Sequence, residues 1–169
     1  DRVGKRLVAF TPPGTFETLK EVPHPVGPAV TPDGDLVYTD KEPPRVTRLK
    51  ADGTATLIAD ENVGTPHFAT VHKSGRVFWS GKAGTGEVFF KVQDLKPEVP
   101  NLPAAKDGAT SLLGWVGRLQ GLAVDRLGYI YIAGAESHHS GEAVAVITPD
   151  GKKVAAMILG VPRNISGLA

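Results

Sequence analysis

The side chains able to do chemistry in this 169-residue chain are few and dispersed. The histidines are His24, His67, His72, His138 and His139, and there is no cysteine. Disulfide stapling, thiolate nucleophiles and Cys-ligated metals are therefore excluded. In Ala135-Glu136-Ser137-His138-His139-Ser140-Gly141-Glu142, imidazoles and carboxylates stand close enough in sequence to suggest a metal such as zinc. Adjacent side chains diverge, however, and no H-x-x-H or H-E-x-x-H spacing fixes them on one helix face, so this run reads as an exposed polar loop. Ser74, Ser80, Ser111, Ser137 and Ser140 stand outside any G-x-S-x-G elbow. A triad is defined by geometry, so sequence order leaves it open. Gly81-Lys82-Ala83-Gly84-Thr85-Gly86 has the look of a phosphate cradle. It lies between two strand-like segments, whereas phosphate capture uses a helix N-terminus or a backbone nest, so it reads as a loop.

Bulk composition narrows the classes further. Lys plus Arg is 19 and Asp plus Glu 18, a formal charge of +1. Basic residues stand singly among acids, with no basic and aromatic track, so nucleic acid is not an expected partner. No stretch is apolar enough for a membrane span. The start, Asp1-Arg2-Val3-Gly4-Lys5-Arg6, has no signal-peptide core behind it, and without an initiator Met the chain reads as mature, trimmed or partial. Secreted, periplasmic and cytoplasmic locations all stay open.

The elements that must position these residues are short strands. Apolar runs of four to eight residues are bounded by Gly, Pro or Asp, no 3.6-residue period persists, and 20 Gly and 14 Pro supply the turns. Three phrases share one design: Gly27 to Asp40, Phe68 to Gly81 and Gly121 to Gly134. Each is a short strand, a turn closing on Gly34, Gly75 or Gly128, and a second strand with an apolar triplet: Leu36-Val37-Tyr38, Val77-Phe78-Trp79 or Ile130-Tyr131-Ile132. A further hairpin turn follows at Ala51-Asp52-Gly53 and at Thr148-Pro149-Asp150-Gly151, and Pro12-Pro13-Gly14 supplies another near the start. Four short antiparallel strands recurring about every forty residues are the signature of propeller blades.

The expected fold is all-β: a partial β-propeller of about three complete four-stranded blades and a flanking half-blade. The boundaries are 5–25 for the half-blade, 26–62, 66–119 and 120–162 for the blades, and 166–169 for the start of another inner strand. An incomplete ring implies a larger propeller, or a second chain that completes it, because open blade edges are a liability. Residues 93–120 break the period. Thr110 to Val116 serves there either as the outer strand of the second blade or as a lid, with Trp115 able to cover a pocket.

Gly121-Leu-Ala-Val-Asp-Arg-Leu-Gly-Tyr-Ile-Tyr-Ile-Ala133 and Ala145-Val-Ile-Thr-Pro-Asp-Gly-Lys152 resemble the SMP-30/gluconolactonase-like family, and more loosely the NHL-repeat and strictosidine-synthase-like propellers. Arg6 to Gly14 and Val26 to Asp40 fit the same pattern. The resemblance implies a six-bladed ring that hydrolyses lactones or esters with a divalent metal, typically calcium, at the mouth of the central channel. It also places metal ligands just ahead of inner strands, and there this sequence departs. Val26 precedes Gly27-Pro28 where an acidic residue is expected, Pro66-His67 replaces an Asn-Gly pair, and Gln120 precedes Gly121 where Asp is expected.

A hard divalent ion wants carboxylate and carbonyl oxygens, so no metal ligand and no cofactor is assigned to this chain; calcium rests on the resemblance alone. His67, Gln120, Asn164 and Trp115 are the candidate ligand-binding residues. Asn164 lies in Val161-Pro-Arg-Asn-Ile-Ser-Gly-Leu-Ala169, where the family carries an Asn that can face the channel. Asn164-Ile165-Ser166 is also an N-glycosylation sequon. No catalytic residue is assigned. Two functions follow as expectations: a lactonase-like or ester-hydrolase-like propeller acting on a small molecule at the channel mouth, or a non-catalytic propeller binding a protein or small ligand through its rim and the 93–120 insertion.

Overall fold

The structure is a computed structural model that describes residues 1, 3–60, 64–96, 102–112, 116–135 and 142–161. Among them there are strands and turns and no helix. A two-stranded sheet pairs β1 (Arg6–Thr11) with β2 (Thr15–Glu21). Three four-stranded antiparallel sheets follow. The first blade is β3 (Pro25–Val30), β4 (Leu36–Lys41), β5 (Pro44–Leu49) and β6 (Ala55–Asp60). The second is β7 (Gly64–Val71), β8 (Arg76–Ala83), β9 (Val88–Asp94) and β10 (Thr110–Ser111). The third is β11 (Arg118–Val124), β12 (Ile130–Ala135), β13 (Glu142–Ile147) and β14 (Val154–Val161). In every sheet, spatial order follows chain order, so each blade is a meander and the fold is a partial β-propeller.

Alternation along the second strand of each blade assigns its two faces, because successive side chains point to opposite sides of a sheet. In β4, Leu36 and Tyr38 pack with Leu7, Val22 and Leu49 against the half-blade, while Val37 packs with Val46, Ala69, Val77, Trp79 and Phe89 against the second blade. In β8, Val77 and Trp79 return that contact, and Phe78 turns the other way to join Val88, Phe90, Leu112, Leu122, Ile130, Ile132 and Ile147 between blades two and three. Each inter-blade junction is thus its own apolar layer, and each fully buried side chain in it contributes about 1.5–3 kcal/mol.

The turns explain the repeated glycines. Gly34, Gly75 and Gly128 have φ of +86°, +90° and +88°, a conformation that favours Gly. The residue three positions earlier fixes each turn with a side-chain acceptor. Thr31 Oγ1 accepts from Asp35 N, His72 Nδ1 accepts from Ser74 N, and Asp125 Oδ1 accepts from both Leu127 N and Tyr129 N. Unlike its two counterparts, the second also links blades, because its Nε2–H donates to Arg126 O at 3.1 Å.

Residues 102–112 resolve the choice between outer strand and lid. Thr110 and Ser111 pair with Phe90 and Phe89, which supplies the fourth strand of the second blade. The preceding residues lie against the turn end of blades two and three. Arg76 donates to Pro103 O and Pro149 O, Lys106 N donates to Asp150 O, and Thr110 Oγ1 donates to Gly151 O. The remaining difference from expectation is at the inner strands, which begin earlier than the apolar runs suggest: at Pro25, Gly64 and Arg118. Gly-Pro, Pro-His and Gln-Gly pairs there obscure the strand signal.

Tyr38 gives this core a pH signature. Burial pushes its phenol above the ordinary 10.0, outweighing the opposing effects of the Thr47 hydrogen bond and the Arg45 charge. A raised tyrosine pKa gives stability that is intact below the unfolded value and lost as pH rises through the folded one. Denaturant midpoints should therefore fall above pH about 10. Tyr38→Phe should show a smaller alkaline loss between pH 9 and 11.

Candidate functional site at the inner-strand bulges

Superposing the repeats on Gly34, Gly75 and Gly128 puts Val26, His67 and Gln120 at one position. In the last two blades this position is a β-bulge. Pro66 pairs with Gly81 and Phe68 with Ser80, leaving His67 as the extra residue; Leu119 pairs with Gly134 and Gly121 with Ala133, leaving Gln120. In the first blade the irregularity falls one step later, between Val26 and Ala29. A bulge bends its strand and re-aims a side chain, a device often found beside active sites. These bulges sit near the start of each inner strand, at the end opposite the Gly34, Gly75 and Gly128 turns, which is the end that the family resemblance makes the mouth.

Adjacent inner strands approach closely there. A Cβ on Gly27 would stand 2.8 Å from Phe68 Cα and 3.2 Å from His67 O, so only Gly fits, and its φ of +51° also favours Gly. Thr39 bolts the same place, donating Oγ1 to Val26 O at 2.9 Å and lying 3.4 Å from His67 O. His67 is half-buried with its ring tilted 52° to that of Phe68, centroids 6.4 Å apart. Gln120 is half-buried as well, with its carboxamide oxygen buried.

Ser80 occupies the Thr39 position of the next blade, fully buried and facing blade three, and its hydroxyl has no hydrogen-bond partner among the described residues. Thr39→Val should cost about 1 kcal/mol of unfolding free energy, the net value of a made hydrogen bond, whereas Ser80→Ala should be neutral or stabilising. Urea denaturation of the two variants checks the contrast.

The structure therefore brings two of the four candidate residues, His67 and Gln120, to equivalent bulged positions on neighbouring inner strands. Trp115 and Asn164 lie outside the described residues, as do Glu136, His138, His139 and the 166–169 strand start. Calcium does not fit the positions that can be described: a valine, an imidazole and a neutral amide give neither the charge nor the oxygen number a Ca²⁺ ion takes. Among the described residues, no cluster of three His, Asp or Glu side chains is arranged to hold a metal. The 102–112 segment lies at the turn end, so it does not cover the mouth.

One polar constellation escaped the sequence reading. At the mouth end of the first blade, Asp40 is fully buried and accepts from His24 N at 3.1 Å, Glu42 N at 3.2 Å and Arg45 Nη2 at 3.3 Å. The available signal was a break in the repeat, since Gly81 and Gly134 stand where the first phrase carries Asp40.

No family model matches the chain, and no curated protein matches its sequence. Solved structures match its fold. A gluconolactonase from Xanthomonas campestris is 18% identical at a TM-score of 0.50, over 98% of this chain and 72% of that one. A catalytically inactive virginiamycin B lyase from Staphylococcus aureus, bound to quinupristin, is 13% identical at 0.60, over 98% and 51%. A chain of a nidogen/laminin complex is 16% identical at 0.60, over 85% and 51%. The chain thus spans about half the length of the last two. At these identities the likeness establishes the propeller fold alone, shared by proteins with enzymatic and with protein-binding roles. No helix among the described residues is long and apolar enough to cross a membrane.

Proposed function

We propose that this chain contributes part of the wall of a propeller that binds a small ester or lactone at the mouth of its central channel and hydrolyses it. The observation that carries the reading is the pair of bulges that put His67 and Gln120 at matching positions on adjoining inner strands. Imidazole and carboxamide offer both donors and acceptors, which suits orienting a neutral carbonyl ligand and a water. Asn164 and Trp115 complete the proposed ligand set. The resemblance to SMP-30/gluconolactonase-like proteins and the Xanthomonas neighbour support the substrate class. Further propeller, from this polypeptide or a second chain, completes a six-bladed ring.

A second reading keeps the propeller and drops the chemistry: a protein or small ligand is held through the rim and the 93–120 insertion. The carboxylate-poor mouth favours it, and the nidogen/laminin neighbour illustrates a propeller found in a protein complex. Proton release from δ-valerolactone, followed by pH-stat, separates the two. The enzymatic reading predicts turnover that drops at least tenfold in His67→Ala and in Gln120→Ala while both variants stay folded. Absence of turnover in the wild type contradicts it. Calcium titration by calorimetry belongs beside this assay: tight stoichiometric binding that vanishes in Asn164→Ala would show that an altered metal site survives.

A further inference from the structure

Between the half-blade and the first blade, at the mouth end but displaced outward to the outer strands, lies a cavity of about 360 Å³. It is lined by Lys20 and Glu21 of β2, Arg45 of β5 and Asp60 of β6, with Tyr38 and Leu57 among its apolar residues. Strand register explains the meeting of charges. Asp40 pairs with Arg45 and Arg45 with Asp60, so three charged residues stand in one row across β4, β5 and β6. Lys20 faces the row from the neighbouring sheet.

The row is electrostatically unfinished. Asp40 is satisfied by two backbone N–H groups as well as by Arg45. Among the described residues, the Arg45 side chain makes a single hydrogen bond, to Asp40 at 3.3 Å, its Nε is buried without a partner, and about a third of the side chain remains exposed. Among the described residues, Lys20, Glu21 and Asp60 make no side-chain hydrogen bond or ion pair. Alternation along β2 turns Lys20 toward the first blade, on the side of Leu7 and Val22, and Glu21 away from it, so the charged side chains that face the cavity are Lys20, Arg45 and Asp60. This set suits a molecule that carries both signs. A carboxylate fits a guanidinium with spare donors, which binds it in a two-pronged fork, and an ammonium fits the Asp60 carboxylate.

We propose that this cavity is a second binding site, separate from the channel mouth, for a free α-amino acid with an apolar side chain. The carboxylate lies on Arg45, assisted by Lys20, the ammonium lies on Asp60, and the side chain runs along Tyr38 and Leu57. The volume is in the range of small-molecule pockets.

Titration of the isotope-labelled protein with L-leucine, followed through backbone amide shifts, tests this. Saturable shifts are expected in residues 20–21, 43–47 and 57–60. Leucinamide, which lacks the carboxylate, and N-acetyl-leucine, which lacks the ammonium, should each bind at least tenfold more weakly, the scale of one charge-assisted contact. Asp60→Asn, at an exposed position away from Asp40, should weaken leucine at least tenfold with the fold intact. Leu57→Trp, at a position 51% exposed, should close the cavity and abolish the shifts. Arg45→Gln should do the same but leaves Asp40 buried without its cation, so the other two variants carry the decision. No shift in these segments at 20 mM leucine, equal shifts with all three compounds, or binding unchanged in both Asp60→Asn and Leu57→Trp overturns the proposal.

Discussion

Replacing Arg76 by Ala should destabilise the protein by about 3–5 kcal/mol, the scale of breaking a buried ion pair by removing one partner. Arg76 is 1% exposed and makes four hydrogen bonds to three segments of the chain. Nε and Nη2 clamp the Asp94 carboxylate at 2.6 and 2.9 Å, and Nη1 donates to Pro103 O at 2.7 Å and Pro149 O at 2.9 Å. The first pair closes β8 onto β9, the third bond holds the 102–112 excursion, and the fourth reaches the outer turn of blade three. Truncation leaves a carboxylate and two carbonyls short of a donor in one place. Arg76→Lys should recover only part of the loss, since one ammonium cannot reproduce a planar fork together with two carbonyl bonds. Chemical denaturation of both variants measures the loss, and one under 1 kcal/mol for Arg76→Ala would mean that the excursion is not anchored as described.

Gly27→Val should cost about 2–5 kcal/mol by adding two penalties. The φ of +51° is poorly tolerated by a β-branched residue, and the new Cβ would meet Phe68 Cα at 2.8 Å, a backbone atom that cannot swing aside. Because that contact lies beside the His67 bulge, the variant should also disturb the mouth. Any residual ligand binding should weaken along with stability. Gly34→Val makes a useful comparison: its φ is similarly positive, but nothing lies within 4 Å of its Cβ, so only the conformational penalty applies. Equal losses at the two positions would contradict the close approach of the inner strands.

The repeat grammar carried most of the fold. Turn glycines at fixed offsets and apolar triplets two residues later specify both hairpins of a blade, because left-handed turns and period-two burial are local demands that the chain must meet within a few residues. The inner-strand starts were harder to read, since bulges at His67 and Gln120 break the alternation that marks a strand. The insertion was ambiguous for a different reason. Thr110 pairs with Phe90 at the end of a segment that is held through Pro103 by Arg76, whose partners lie up to 73 residues away in sequence. At the site, the family resemblance singled out residues 67 and 120, and alignment of the repeats on their turn glycines puts both at one position of consecutive blades. The Asp40, Arg45 and Asp60 row was missed: it occurs in one blade only, and Lys20, which faces it, comes from another sheet.

If the bulged ends of the inner strands form a ligand-binding mouth, a small lactone should bind there. Amide shift mapping with δ-valerolactone tests it most directly, because it reports binding whether or not turnover follows. Saturable shifts are expected centred on residues 26–27, 66–68 and 119–121, lost in His67→Ala, with residues 102–112 at the opposite end unmoved. Shifts confined to 102–112, or none in the three bulge segments at saturating lactone, would contradict it.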